Sequence, residues 1–261
     1  MTTVRIKELD LSTLHPMNDK HLKGGAKYIV IGAAGSGKSE LLKMLLYCKK
    51  HILSVGHVFS GTEEVNRFFE TFIPELFIYN GLEIEELGNV DKFVKRQKIA
   101  RKYLEKAGFN QWGFEIIDDC TSDTKFLKKP IIKDIYKNSR HYCSYHILSL
   151  QYAMDIDSSI RTNVNGVFIF RESRKDMREK LFKYYASCIP TQSEFNQIMD
   201  ELTEDYTCVY IDYTSKSNNM EDCIFYYKVD INSIPKGWKM GCEEYWNYAK
   251  ERFDPNSKNV V

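Results

Sequence analysis

In the stretch KYIVIGAAGSGKSELLKMLLYCK, residues 27–49, an apolar strand pattern leads into a glycine-rich turn and then into a helical pattern. The turn matches the phosphate-binding P-loop, whose glycines let backbone N–H groups point inward while the helix dipole is directed at the same place. A chance glycine-rich turn is the alternative, but every motif position and both flanking elements agree with a P-loop. The stretch therefore predicts a strand, a nucleotide phosphate site and a helix, in that order.

Two side chains of this turn have defined uses in nucleotide binding. The Lys38 ammonium can reach the β- and γ-phosphates, and the Ser39 hydroxyl can ligate Mg²⁺. No N-K-x-D guanine signature follows the turn, so we expect ATP and Mg²⁺ as cofactors. The residues predicted to bind the nucleotide are contiguous: Gly32, Ala33, Ala34, Gly35, Ser36, Gly37, Lys38, Ser39 and Glu40.

Strand and helix patterns alternate after the P-loop, which predicts an α/β fold with a doubly wound, mostly parallel sheet and helices on both faces. The predicted strands occupy residues 27–32, 52–59, 75–79, 113–118, 145–151 and 166–170. The predicted helices occupy residues 38–49, 64–72, 91–107, 131–138 and 174–187. Near-continuous apolar runs favour central positions for the first and fourth strands, because parallel strands are buried on both faces.

The chain divides into three regions by pattern. Residues 1–26 predict an N-terminal extension, with a short strand from Val4 to Leu9, packed on the core. Residues 27–190 form the predicted ATPase core, and residues 191–261 a C-terminal extension of the same domain. That extension carries a predicted helix and two β-rich runs around a polar turn, which favour a hairpin or edge strands: 191–202, 206–213 and 223–230.

Composition limits the function classes. The chain has 261 residues and a net charge of +1, so overall charge gives no sign of nucleic-acid binding, which would depend on local patches. The seven cysteines are scattered and never form C-x-x-C, which argues against zinc and disulfides and favours a reducing compartment. No signal peptide or long apolar segment is present, so we expect a soluble cytoplasmic protein without membrane insertion.

A second half of the nucleotide site is predicted at Asp118 and Asp119, which end an apolar strand. The ends of parallel strands open onto the ligand crevice of α/β sheets. Asp118 can hold Mg²⁺ through water, as a Walker B carboxylate does, and Asp119 can orient or deprotonate the attacking water. An ordinary acidic loop is the alternative.

The strand and helix predicted at 75–107 lie in sequence between the P-loop unit and this carboxylate strand. From this order we expect the carboxylate strand to lie away from the strand that follows the P-loop helix, as in ATPases with a catalytic carboxylate. Gln151 ends the next strand, and its amide can sense the γ-phosphate or its attacking water. A solvated strand end explains one such Gln equally well.

Four segments together resemble a known family: GAAGSGKS at 32–39, IIDD at 116–119, SRHYCSYHILSLQ at 139–151 and SSIRTNVNGVFIF at 158–170. They resemble the genome-packaging ATPases of large double-stranded DNA viruses and virophages, the poxvirus-type branch of the FtsK/HerA DNA translocases. The resemblance spans roughly residues 25–175. It implies a RecA/FtsK-like P-loop NTPase core, with Asp118 as the Walker B residue, Asp119 as the catalytic carboxylate and Gln151 as the sensor.

The resemblance also implies partners and a setting. A homo-oligomeric ring, a hexamer in the family, would pump double-stranded DNA without regard to sequence and dock on a capsid or portal-vertex protein. Its place would be the host cytoplasm at the viral assembly site, and the virion. A ring motor needs a cation supplied across the subunit boundary, for which Arg140 ranks before Arg161. A surface ion pair is the alternative for both arginines.

Basic side chains that could hold DNA form clusters. The preferred contact follows the carboxylate strand: Lys125, Lys128, Lys129, Lys133 and Lys137. A second cluster lies on one predicted helix, where a solvated amphipathic face is the alternative: Lys92, Lys95, Arg96, Lys98, Arg101, Lys102 and Lys106. Phosphate contacts by such residues would be independent of sequence and weakened by salt.

Two other functions remain open from the sequence. A small-molecule nucleotide kinase would have an arginine-rich lid, an acceptor pocket and a monomeric state. A nucleotide-binding scaffold would bind ATP without turnover. The kinase leaves the strand that ends in Gln151 unexplained, and the scaffold predicts no hydrolysis stimulated by DNA.

Overall fold

The computed structural model describes residues 6–17, 24–82, 87–120, 124–152, 156–217 and 219–254. Their strands form one sheet: β1 (Lys7–Glu8), β2 (Ala26–Ile31), β3 (Val55–Ser60), β4 (Ile78–Asn80), β5 (Gly113–Asp118), β6 (Ser144–Leu150), β7 (Gly166–Ile169), β8 (Thr207–Asp212) and β9 (Ile224–Lys228). The strand order is β1-β9-β8-β7-β2-β6-β5-β3-β4. Among these strands, β8 alone pairs antiparallel with both neighbours.

The described part of the chain has eight α-helices, of which seven lie between strands and the eighth follows β9. They are α1 (Lys38–Cys48), α2 (Glu63–Asn66), α3 (Leu87–Tyr103), α4 (Pro130–Asn138), α5 (Ser158–Arg161), α6 (Lys175–Tyr185), α7 (Gln192–Leu202) and α8 (Glu243–Arg252). None of the described helices is long and apolar enough to cross a membrane.

The sheet is buried on both faces because its central strands carry apolar side chains at consecutive positions. In β2, Ile29 and Ile31 join a core with α3, α4, α6 and α7, whereas Tyr28 and Val30 join a second core with α1. Successive strand residues point to opposite faces, so an unbroken apolar run fills both layers. The predicted α/β class, with helices on both faces, is confirmed.

Three sequence predictions about the elements are wrong. The carboxylate strand β5 pairs with β3, the strand that follows the P-loop helix, and β6 is the strand that separates it from β2. The helix predicted at 64–72 ends at Asn66, because Arg67 adopts a left-handed φ of 50° and a 3-10 turn follows at Phe69–Thr71. The strand predicted at 75–79 begins only at Ile78.

The C-terminal region extends the sheet. The strands β8 and β9 form an antiparallel pair beside β7, and β1 adds parallel to β9 at the edge of the sheet. The predicted hairpin is present, although Asn218 of its turn lies outside the described residues. The helix α8 was not predicted, because half of its residues are charged and only Tyr245 and Ala249 are buried.

A buried ionic cluster crosses the sheet. The Glu115 carboxylate on β5 lies 2.6 Å from His57 Nε2 and 3.1 Å from His146 Nδ1, and the other ring nitrogen of His146 lies 2.9 Å from Ser144 Oγ. Burial by itself would raise the pKa of Glu115, but the contacts with His146 and His57 outweigh it and lower that pKa to about 2.

We expect Glu115→Gln to lower the free energy of unfolding by about 3–5 kcal/mol, because it leaves buried polar partners without their anion. Glu115 has a lowered pKa, so its contribution is present above pH 4.5 and is lost as the pH falls toward about 2. Urea unfolding at several pH values measures this, with the exposed Glu75→Gln as control. Equal stability of Glu115→Gln and the native chain at pH 7 would contradict it.

Candidate nucleotide site

The P-loop lies between the end of β2 and the start of α1, as the sequence predicts. Gly37 precedes α1 with a left-handed φ of 102°, a conformation that favours glycine. At Gly32 an added Cβ would approach Ser36 Oγ to 2.6 Å and Phe170 Cβ to 2.7 Å. A glycine is therefore required where the loop leaves the strand and where it enters the helix.

The remaining predicted loop residues have distinct surroundings. Ala33, Ala34 and Gly35 are exposed at the tip of the turn, whereas Ser39 and Glu40 are half-buried in the first turn of α1. The Glu40 carboxylate is suited to that place because negative charge is favourable near a helix N-terminus.

Lys38 is the best-anchored side chain of the loop. It is only 5% exposed, and its ammonium donates to Gly32 O at 2.8 Å and to Ala33 O at 3.2 Å. The Asp119 carboxylate lies 3.5 Å from the same ammonium. Phosphate oxygens bound by the loop would compete with these acceptors for the Lys38 ammonium.

Asp118 ends β5 and is almost fully buried, at 1% exposure. Burial, together with the nearby Asp119 charge, raises its pKa to about 6, although the Ser149 side chain and the Lys38 ammonium oppose this rise. In the sheet register Asp118 lies between Ser60 of β3 and Ser149 of β6. A cation beside this buried carboxyl would stabilise its ionised form. Asp118 is therefore suited to bind Mg²⁺.

Asp119 connects the two halves of the site. Its Oδ2 atom lies 3.3 Å from Gln151 Nε2 and 3.5 Å from Lys38 Nζ. Its φ of 49° is left-handed, which aspartate tolerates better than most residues. A Cβ built on Gly61 would lie 2.4 Å from Asp119 O, which explains why position 61 is a glycine. The structure thus brings together three of the five predicted catalytic side chains, namely Lys38, Asp119 and Gln151.

Glu63 near Asp118 was missed by the sequence analysis. It is buried, and its carboxylate accepts the N–H groups of Phe69 and Glu70 at 3.1 and 2.9 Å, which ends α2 and forms the following turn. Burial raises the pKa of Glu63, and its charge raises the pKa of Asp118. The sequence feature that could have indicated this residue is the pair of adjacent glutamates that begins with Glu63, soon after the end of β3.

The two candidate arginines lie elsewhere. Arg140 is exposed and precedes β6, and its carbonyl oxygen lies 3.8 Å from a Cβ built on Gly24, just before β2 begins. The six-residue β2 is about 20 Å long. Arg140 therefore lies near the start of this strand, at the opposite end from the P-loop of its own chain. Arg161 donates to Ile156 O at 2.9 Å and stacks 4.3 Å from the Tyr184 ring centroid.

The basic clusters differ in their ionic contacts. On α3, Lys98 lies 3.6 Å from Asp134, Arg101 lies 4.0 Å from Glu105, and Lys95 pairs with Asp91, as expected for a solvated helix face. After Asp119, Lys133 pairs with Asp157 at 3.0 Å. In that second cluster Lys125, Lys128 and Lys137 are exposed and Lys129 is half-buried.

A cavity of about 430 Å³ lies away from the P-loop, between β3, α3 and α8. Aromatic side chains, Lys92, Arg96 and His57 line it. The P-loop is the better candidate for a nucleotide site than this cavity, because backbone donors and an ammonium that suit a triphosphate converge there.

The residues at the P-loop fit ATP and Mg²⁺. Three buried oxygen atoms there have no hydrogen-bond partner, namely Ser36 Oγ, Asp118 Oδ1 and Asp119 Oδ1. Buried polar atoms are seldom left unpaired in native proteins, so these atoms point to a bound polar group. Ser39 and Asp118 would hold Mg²⁺ together with phosphate oxygens. No cluster of three or more His, Cys, Asp or Glu side chains suited to a metal occurs among the described residues.

The chain is similar in sequence to viral proteins of uncharacterized function. No family model matches the chain. The uncharacterized protein 088R of Invertebrate iridescent virus 3 is 41% identical over 261 residues, which cover 98% of this chain and 97% of that protein. The uncharacterized protein 075L of Invertebrate iridescent virus 6 is 40% identical over 257 residues, 97% of each chain.

Among solved structures, the genome packaging NTPase B204 from Sulfolobus turreted icosahedral virus 2, in complex with ATP-gammaS, is similar with a TM-score of 0.53. Its sequence identity to this chain is 16%, and the match covers 78% of this chain and 97% of that one. The expected P-loop NTPase fold is therefore confirmed.

Proposed function

The chain belongs to the family of large-DNA-virus proteins that includes 088R and 075L, and we propose that it is an ATP-driven motor that moves double-stranded DNA into a viral capsid. The observation that carries this proposal is the contact of Asp119 with both Lys38 and Gln151 at the P-loop. A phosphate-binding lysine, a carboxylate and an amide are thereby assembled around one point, as hydrolysis of a γ-phosphate requires.

The side chains divide the chemistry between them. Lys38 would bind the β- and γ-phosphates, and Asp118 with Ser39 would hold Mg²⁺, which neutralises charge on these phosphates. Asp119 would orient the attacking water and accept its proton, while Gln151 fixes the carboxylate by its hydrogen bond. Asp119 contacts both Lys38 and Gln151. Loss of the γ-phosphate would therefore alter the contacts of the residues at the ends of β5 and β6 directly.

The position of Arg140 favours a site that is shared between protomers. Arg140 lies at the opposite end of the strands from the P-loop of its own chain. It can therefore contact a nucleotide only at the P-loop of another copy. We propose a ring, with six subunits as in the family that the sequence resembles, in which Arg140 of one protomer stabilises charge at the neighbour's γ-phosphate. Arg161 is the second candidate. The ring would act at the viral assembly site in the host cytoplasm, dock on a capsid or portal-vertex protein, and remain with the virion.

The proposal is tested by the rate of ATP hydrolysis with and without double-stranded DNA, with the ring mass followed in parallel. We expect DNA to stimulate the native chain and to have no effect on Arg140→Ala, which still binds ATP. Phosphorylation of a small acceptor would identify a nucleotide kinase and contradict the motor. ATP binding without any turnover would identify a nucleotide-binding scaffold.

DNA contact is expected at the exposed lysines that follow Asp119. Replacement of Lys125 and Lys128 by Ala should weaken binding to double-stranded DNA and lower the slope of log K against log [salt] by about 2, because each phosphate contact releases about one counterion. Fluorescence anisotropy at several salt concentrations measures this. The exposed pair Lys236→Ala and Lys250→Ala is the control. An unchanged slope in the Lys125/Lys128 variant would contradict this assignment.

A further inference from the structure

The ring of Tyr206 lies against the P-loop where α1 begins. A Cβ built on Gly37 would stand 3.1 Å from Tyr206 Cδ1 and 3.6 Å from Tyr206 Cβ. Tyr206 is nevertheless 58% exposed. An aromatic ring therefore contacts the phosphate loop and keeps much of its surface open to solvent.

The strand order places this ring on a defined side of the P-loop. Tyr206 directly precedes β8, and because β8 runs antiparallel to β7, its first residues lie at the same sheet edge as the end of β2. The order is β8-β7-β2-β6-β5, so Tyr206 lies on one side of the P-loop strand. Asp119 and Gln151, which follow β5 and β6, lie on the other side.

This separation fixes the direction of a bound nucleotide. The side chains that would act on the γ-phosphate follow β6 and β5, on one side of β2. The nucleoside end of a bound nucleotide must therefore extend from the P-loop to the other side, toward β7 and β8. We propose that Tyr206 is the platform on which the base of the bound nucleotide stacks. The proposal rests on the proposed ATP binding and adds a residue for the base. Bases stack well on tyrosine because both present flat π faces.

The backbone holds the ring in place. Asp205 and Tyr206 have left-handed φ values of 47° and 60°, which non-glycine residues rarely adopt. Two hydrogen bonds support this turn: Thr207 N–H donates to Glu204 O at 2.9 Å, and Val229 N–H donates to Tyr206 O at 3.2 Å. A turn fixed in this way presents the aromatic side chain before any ligand binds, which lowers the entropy cost of stacking.

The experiment compares two ligands, Mg²⁺-ATP and Mg²⁺-tripolyphosphate, which shares the phosphate chain but has no base. Titration calorimetry of the full chain gives both affinities. We expect Tyr206→Ala and Tyr206→Leu to weaken ATP binding about tenfold and to leave tripolyphosphate binding unchanged, because only ATP offers a base to stack. Tyr206→Phe keeps the ring and should bind both ligands like the native chain.

Tyr103 provides a matched control, since it is also 58% exposed but lies on α3. That helix contacts Gln111 O and Cys143 O near the opposite edge of the sheet through Gln97. Tyr103→Ala should bind both ligands normally. Unchanged ATP affinity in Tyr206→Ala, or an equal loss for both ligands, would overturn the base platform alone. Failure of the native chain to bind ATP would overturn the proposed function and with it this proposal.

Discussion

Lys38→Ala is expected to bind ATP at least about 100-fold more weakly than the native chain. The buried Lys38 ammonium is held at the mouth of the loop by two carbonyl oxygens and Asp119. Truncating one partner of a charge-assisted contact with a phosphate removes about 3 kcal/mol or more of binding free energy, which corresponds to this factor.

Titration calorimetry with Mg²⁺-ATP measures the loss. Lys50→Ala is the matched control, because Lys50 is exposed just after α1 and should bind ATP like the native chain. Thermal unfolding of Lys38→Ala without nucleotide shows whether the fold is retained. A folded Lys38→Ala chain with unaltered ATP affinity would refute the phosphate assignment.

Asp119→Asn is expected to retain ATP binding and to lose hydrolysis by about 10²- to 10⁴-fold, the range that a positioned general base contributes. Asparagine tolerates the left-handed φ of 49° as aspartate does, so the substitution removes charge and basicity without a new backbone strain. The amide also keeps a hydrogen-bonding group beside Gln151.

Single-turnover hydrolysis of bound ATP measures this step apart from binding. Asp205→Asn is the matched control, since Asp205 is an exposed aspartate with a left-handed φ of 47°, and its hydrolysis rate should stay within about twofold of native. Hydrolysis by Asp119→Asn at the native rate would assign the catalytic carboxylate to another residue.

The sequence predicted the P-loop and its partners well because these features are local. A strand, a turn and a helix in succession specify the phosphate site, and the polar ends of two apolar strands predicted Asp118, Asp119 and Gln151 at the same sheet edge. The structure confirms this proximity through the contacts of Asp119. The roles of these residues stay predictions until the variants are measured.

The order of the strands could not be derived in the same way. Apolar periodicity identifies a strand but does not say which strand lies beside it, so the interposition of β6 between β2 and β5 was not predicted. The Glu115 cluster was missed for the same reason, because its side chains lie on three strands that are distant in sequence. Tyr206 was interpreted as part of a β-rich run, and only the antiparallel course of β8 brings it to the P-loop.

The most direct test of a site shared between protomers is the DNA-stimulated ATPase rate of an equimolar mixture of Asp119→Asn and Arg140→Ala chains. Each variant alone should be inactive. If subunits exchange at random around a ring, about a quarter of the sites combine an intact Asp119 with an intact Arg140 from the neighbour, and the mixture should recover about that fraction of native activity. A mixture that forms rings of native mass but stays as inactive as either variant alone would contradict the account.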